Sequence, residues 1–128
     1  MRLLLDTHAF MWWVLDDPRL SATGRDLIAD RSNDVLLSAA SAYEIAVKAG
    51  RGRLTLPEPP ESYVASRMVG EGFTPLAIQV AHAVRAGSLP PIHRDPWDRL
   101  LVAQGQLDDV PILTADPLIG RYEVETIW

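Results

Sequence analysis

Four acidic side chains stand where carboxylates can reach a shared pocket: Asp6, Glu44, Asp98 and Asp116. Asp6 closes the apolar run Leu3-Leu4-Leu5. Glu44 ends Ser41-Ala42-Tyr43-Glu44, Asp98 ends Asp95-Pro96-Trp97-Asp98, and Asp116 follows Ile112-Leu113-Thr114-Ala115. Taken singly, each reads as a helix-end residue. Asp6 suits an N-cap for a helix starting at Thr7. Ser41 and Glu44 have capping-box spacing, and Glu44 also stands i, i+4 from Lys48. Asp95 suits a cap followed by proline at the first helical position, with Asp98 in the first turn; Asp116 before Pro117 makes a similar start. Taken together they imply more. Like charges about 4 Å apart repel by roughly 4 kcal/mol at an effective dielectric near 20, so such a cluster persists only with protons or a cation. All-oxygen ligation without His or Cys favours a hard ion, Mg²⁺ or Mn²⁺. That chemistry suits phosphodiester hydrolysis, in which a divalent ion activates and orients water and neutralises the leaving oxygen.

The acids meet only if the intervening elements bring them to one edge. Leu3–Leu5, Val35–Leu37, Pro111–Thr114 and Val124–Ile127 read as strands, with Phe73–Leu76 a weaker candidate. Thr7–Asp16, Ser21–Arg31, Ser41–Gly50, Glu61–Glu71, Ile78–Gly87 and Trp97–Leu107 read as helices. Ala42, Ile45, Ala46 and Ala49 supply the clearest helical period. Leu56–Pro60 and Ser88–Pro96 are proline-rich and read as loops. Uninterrupted apolar strands separated by helices predict a three-layer α/β/α domain with a central, mostly parallel sheet. In such sheets ligands bind beyond the carboxyl ends of the strands, where the first and last of these acids fall.

The 128 residues suit one domain spanning 1–128, with 48% apolar and 23% charged residues in the range of globular proteins. The absence of cysteine excludes disulfides, thiolate metal sites and Cys nucleophiles, and fits a reducing, cytoplasmic setting. The longest apolar run, Ala9–Leu15, is far short of the roughly 20 residues a membrane span needs, and Asp6 interrupts the N-terminus too early for a signal peptide. Twelve basic against 17 acidic residues give a net charge of −5, which argues against a passive nucleic-acid coat protein. An enzyme that acts on nucleic acid through metal-binding acids remains compatible with that charge.

Four blocks, in order and spanning essentially the whole chain, resemble the PIN-domain ribonucleases, and within them the VapC-type toxins of bacterial toxin–antitoxin pairs. The blocks are Leu4-Leu5-Asp6-Thr7-His8, Ser41-Ala42-Tyr43-Glu44-Ile45-Ala46-Val47-Lys48, the segment Asp95-Pro96-Trp97-Asp98-Arg99 continuing to Gln104, and Leu113-Thr114-Ala115-Asp116. The resemblance implies that Asp6 and Asp98 are the main metal-binding acids. It implies that Glu44 and Asp116 assist through a second ion, bound water or proton transfer, and that Thr114, beside the last acid, orients water or ligates through it. It further implies an RNA substrate such as tRNA, a VapB-type antitoxin that covers the pocket, and a homodimer. Tyr43 stands where relatives often carry Trp, a change expected to alter packing rather than chemistry.

Other polar residues have weaker claims. Lys48, Arg51 and Arg53 can contact phosphate or simply complement a helix C-terminus. Arg94 and Arg99 flank the Asp95–Asp98 block and can touch RNA or pair with pocket acids. His8, His82 and His93 lack metal-site spacing and stay outside the catalytic set, with His8 near enough to Asp6 for a supporting role. Trp12 and Trp13 read as core or dimer contacts. Two other functions share the acid pattern. A small-molecule phosphatase differs only in substrate. A receiver-like signalling domain is disfavoured because the first strand ends in one acid and the only lysine is Lys48.

Overall fold

Leu3, Leu4 and Leu5 are all fully buried, as a strand covered on both faces requires. In the computed structural model, which describes residues 1–128, they form the centre of strand β1 (Arg2–Leu5). Strands β2 (Asp34–Ser38), β3 (Thr74–Leu76), β4 (Ile112–Leu113) and β5 (Thr126–Ile127) complete a sheet of order β3-β2-β1-β4-β5. Every pairing is parallel, with Leu4 opposite both Leu36 and Ile112. Pro75 lies in β3 at the sheet edge, where a missing N–H leaves no ladder bond unmade.

The helices are α1 (Thr7–Val14), α2 (Ala22–Ala29), α3 (Ala39–Gly50), α4 (Pro60–Glu71), α5 (Val80–Ser88) and α6 (Pro96–Asp108), with a short 3₁₀ turn at Ile119–Arg121. Alternate strand residues feed two cores. Leu3, Leu5, Val35 and Leu37 pack with Phe10, Ile28, Tyr63 and Val64 on one face. Leu4, Leu36 and Ile112 pack with Leu101, Val102 and Ile119 on the other. The expected three-layer α/β/α architecture with a parallel sheet is therefore present. Helix α3 contributes Ile45 to the first core and Ala40 to the second, and it packs against α1, α4 and α6. It thus straddles the layers instead of lying within one. No helix is long and apolar enough to cross a membrane.

Several boundaries differ from the sequence expectations. Helix α3 starts at Ala39, and its N-cap is Ser38, whose hydroxyl accepts from the Ala40 N–H at 3.0 Å. The Ser41–Glu44 capping box is therefore not formed, and Glu44 lies in the second turn instead of the first. The reason is that β2 runs straight into the helix, so the last strand residue supplies the cap. The Asp116–Pro117 step forms a turn closed by the Leu118 N–H on Asp116 Oδ1 at 2.8 Å, ahead of the 3₁₀ segment, instead of starting an α-helix. The all-apolar α1 is divided: Ala9, Phe10 and Met11 are buried, whereas Trp12 and Trp13 are half-buried.

Leu4 is enclosed between β2, β4 and α6 without solvent contact, so its truncation leaves a cavity. Leu4→Ala is expected to lower unfolding free energy by about 2–5 kcal/mol, measured by urea denaturation with an unchanged m-value.

Candidate active site

The sheet changes direction of travel at β1, whose neighbours β2 and β4 are reached by crossovers on opposite sides. The carboxyl ends of β1 and β4 therefore flank a crevice, and Asp6 and Thr114 occupy it. Thr114 Oγ1 donates to Asp6 Oδ2 at 2.6 Å and accepts from the Asp116 N–H at 3.0 Å. Asp6 Oδ1 accepts from the Ala9 N–H at 2.7 Å as the N-cap of α1. Capping and pocket roles are compatible here because a carboxylate has two oxygens.

Glu44 reaches the same region from α3, whose position across the strand ends buries it to 3% exposure. Thr7 Oγ1 donates to its Oε1 at 2.6 Å, and Lys48 Nζ pairs with its Oε2. Asp98 enters from the first turn of α6, behind Asp95, which accepts from the Trp97 and Asp98 N–H groups. Asp116 enters from the loop after β4. Its Oδ2 accepts from His93 Nε2 at 2.8 Å, and the same nitrogen lies 3.1 Å from Asp98 Oδ2. The ligand atoms of His93, Asp98 and Asp116 all fall within 4.8 Å of one another, a set able to hold a metal ion. Asp6 and Glu44 lie outside that tight set and are held by their own hydroxyl partners.

Electrostatics couples the four acids. Burial pushes the Asp98 carboxyl up to about 8, and the negative charges of Asp95, Glu44, Asp6 and Asp116 push in the same direction. Asp98 stands out because no donor hydrogen-bonds either of its carboxylate oxygens; His93 is close but its hydrogen bond goes to Asp116. Burial also raises Asp6, partly offset by the hydrogen bonds from Thr114 and Ala9. Crowding of like charges of this kind is relieved by a proton or by a cation.

His93 is the residue that sequence reasoning missed. It stands two positions before Asp95 in a proline-rich loop, and no periodicity predicts where such a loop aims a side chain. Arg99 neither pairs with an acid nor faces the pocket. Its guanidinium donates to the carbonyls of Ala86, Leu89, Pro90 and His93 at 2.8–3.3 Å and so ties down that loop. Arg94 is exposed, as are Arg51 and Arg53. His8 is exposed and stacks on Trp12 with ring centroids 5.5 Å apart. Tyr43, expected to matter for packing, is 63% exposed and meets Trp97 edge-to-face at 6.1 Å. These two rings are chain neighbours of Glu44 and Asp98.

The fold and site together define a parallel-sheet α/β/α domain with acids gathered at the carboxyl edge of the sheet. Residues 3–124 match the family model described as PIN domain, and the chain belongs to the PIN-domain family. It is 30% identical over 130 residues to the Mycobacterium tuberculosis protein named Ribonuclease VapC22, an alignment covering 98% of each chain. It is 44% identical over 79 residues to Ribonuclease VapC16 of the same organism, but that match spans only 57% of this chain and 56% of the relative. Two solved structures share the fold. VapBC2 from Rickettsia felis, described as bound to a DNA fragment from its promoter, superposes with a TM-score of 0.71 at 14% identity, covering 99% of this chain and 98% of that one. FitAcB from Neisseria gonorrhoeae gives 0.64 at 18% identity, covering 98% and 96%.

The raised Asp98 carboxyl has a consequence for stability. Between about pH 4, where an unfolded Asp releases its proton, and about pH 8, where the folded one does, the native state binds more protons than the unfolded state. Stability then falls as pH rises. In chelator, the wild-type melting temperature is expected to decline across that window. Asp98→Asn should flatten the decline and melt above wild type at the alkaline end. Differential scanning fluorimetry checks this, and a wild-type value that climbs with pH contradicts it.

Proposed function

We propose that this protein is a metal-dependent endoribonuclease that hydrolyses RNA phosphodiester bonds, and the toxin partner of a toxin–antitoxin pair. Membership of the PIN-domain family and the ribonuclease names of its relatives support the reaction class. The observation that carries the metal dependence is geometric: ligand atoms of His93, Asp98 and Asp116 lie within 4.8 Å of one another, with Asp6, Glu44 and Asp95 near enough to push the Asp98 carboxyl upward. Such a pocket has an affinity for positive charge already present in its geometry.

In this reading Asp6, Asp98 and Asp116 hold the cation, with Glu44 completing the ligand set directly or through water. The oxygen-rich donor set suits Mg²⁺ or Mn²⁺. When bound, the ion supplies an activated water and neutralises charge on the scissile phosphate. The chain's own contribution is to fix the acids. Thr114 orients Asp6, Thr7 and Lys48 grip both oxygens of Glu44, and the Leu118 N–H holds Asp116. With Glu44 so held, its carboxylate is available to relay a proton from the attacking water without moving. Thr114 acts on the reaction only through Asp6 and Asp116.

In this reading the substrate is RNA, with tRNA one common target class of the family, and the setting is cytoplasmic. A VapB-type antitoxin covers the pocket in the resting state. A homodimer is supported by an apolar face on α5 and α6, where Val80, Val84 and Leu107 are 82%, 64% and 40% exposed.

The test uses inhibitor-free protein with a mixed cellular RNA pool, in Mg²⁺, in Mn²⁺ and in chelator, beside Asp98→Asn. Discrete metal-dependent cuts are expected from wild type, and the variant should lose activity by at least about 100-fold while remaining folded by circular dichroism. Metal binding without RNA cleavage, but with turnover of a small phosphorylated compound, would replace the nuclease by a phosphatase.

A further inference from the structure

His93 lies close enough to Asp98 and Asp116 to share an ion with them, yet its hydrogen-bonding pattern assigns it a different task. The Asp95 backbone N–H donates to His93 Nδ1 at 3.2 Å. A nitrogen that accepts that bond carries no hydrogen, so in the neutral ring the hydrogen sits on Nε2 and is donated to Asp116 Oδ2 at 2.8 Å. Ligation through Nε2 would require moving the hydrogen to Nδ1, where it would point at the Asp95 N–H. The Asp95 amide, itself fixed at the N-cap of α6, therefore determines which ring nitrogen faces the acids. His82 shows the same device away from the site: its Nδ1 accepts from the Gln79 N–H at 2.9 Å, and its Nε2 faces Asp108 at 3.2 Å.

We propose that His93 is a positioning residue and not a metal ligand: its Nε2–H pins Asp116 beside Asp98 and leaves the cation an oxygen-only ligand set. The inference rests on the metal-site reading above and adds a residue to it. Asp116 is then held from two sides, by the Leu118 N–H on Oδ1 and by His93 on Oδ2, while each oxygen retains a lone pair for the ion. The loop carrying His93 is in turn held by Arg99, which accounts for an arginine one residue after Asp98 that points away from the pocket. An oxygen-only set favours Mg²⁺ and Mn²⁺, whereas an imidazole ligand would shift preference toward Zn²⁺.

Two substitutions separate the donor from the loop contact. Gln places an amide N–H near the position of Nε2 and can still reach Asp116. Asn mimics the Nδ1 side and can accept from Asp95 but falls short of the acids. Mn²⁺ binding to the full-length protein, followed by electron paramagnetic resonance, is expected to weaken by about 10–100-fold in His93→Ala. His93→Gln should recover most of that loss and His93→Asn little of it. In ¹⁵N-labelled wild type, imidazole spectra should show the Nε2–H form without metal and the same form with Mg²⁺. Loss of that hydrogen on Mg²⁺ addition, better rescue by Asn than by Gln, or unchanged Mn²⁺ affinity in His93→Ala would each overturn the assignment. Wild type that takes up no Mn²⁺ overturns the metal-site reading and this inference with it; normal wild-type uptake with an unaffected Ala variant overturns this inference alone.

Discussion

The rest of this structure depends on how like charges are kept together at one edge of a sheet. Three of the four carboxylates share their charge with donors on both oxygens. Asp6 has the Ala9 N–H and Thr114, Glu44 has Thr7 and Lys48, and Asp116 has the Leu118 N–H and His93. Asp98 has none, and it is the acid that burial and its neighbours push up to about 8. The residual strain is thus concentrated in one group. In the proposed metal-binding reading, a cation there would meet preset oxygens, so little reorganisation would be needed at the moment of binding.

That arrangement follows from topology more than from any one motif. A parallel sheet ends all its strands on the same side, and the change of direction at β1 leaves Asp6 and Thr114 side by side although they are 108 positions apart in the chain. Helix α3 adds the second requirement. Because it starts directly from β2 and lies across both cores, its second turn reaches over the crevice, and Glu44 is delivered to Thr7 instead of to a helix end.

The other side of the pocket is built by a loop, and its stiffness comes from Arg99. A guanidinium offers five donors in a planar fork, and here they gather four carbonyls between Ala86 and His93. The loop is therefore anchored to the same first turn of α6 that carries Asp98. His93 and Asp98 cannot drift apart without breaking charge-assisted hydrogen bonds, so the support for the acids reaches from the helix through the loop and back to the pocket.

Much of this was legible in the sequence. Apolar runs alternating with helical periods specified a parallel α/β/α sandwich, and the four acids were marked by their places beside those runs. The Asp6 and Asp95 caps were also visible, since a cap is a local interaction set by neighbouring residues. What local pattern misplaced was the start of α3, where a strand running directly into a helix moved the cap from Ser41 to Ser38. Hidden altogether were the partners of the acids. Thr7 with Glu44, Thr114 with Asp6 and His93 with Asp116 are contacts across 37, 108 and 23 positions, and the roles of Arg99 and His93 depend on the path of a proline-rich loop. The sequence alone determined which elements form and which side chains bear charge, because periodicity and capping act over a few residues. Only the tertiary structure decided how those charges are tolerated, because desolvation and hydrogen bonding depend on what the fold packs beside them.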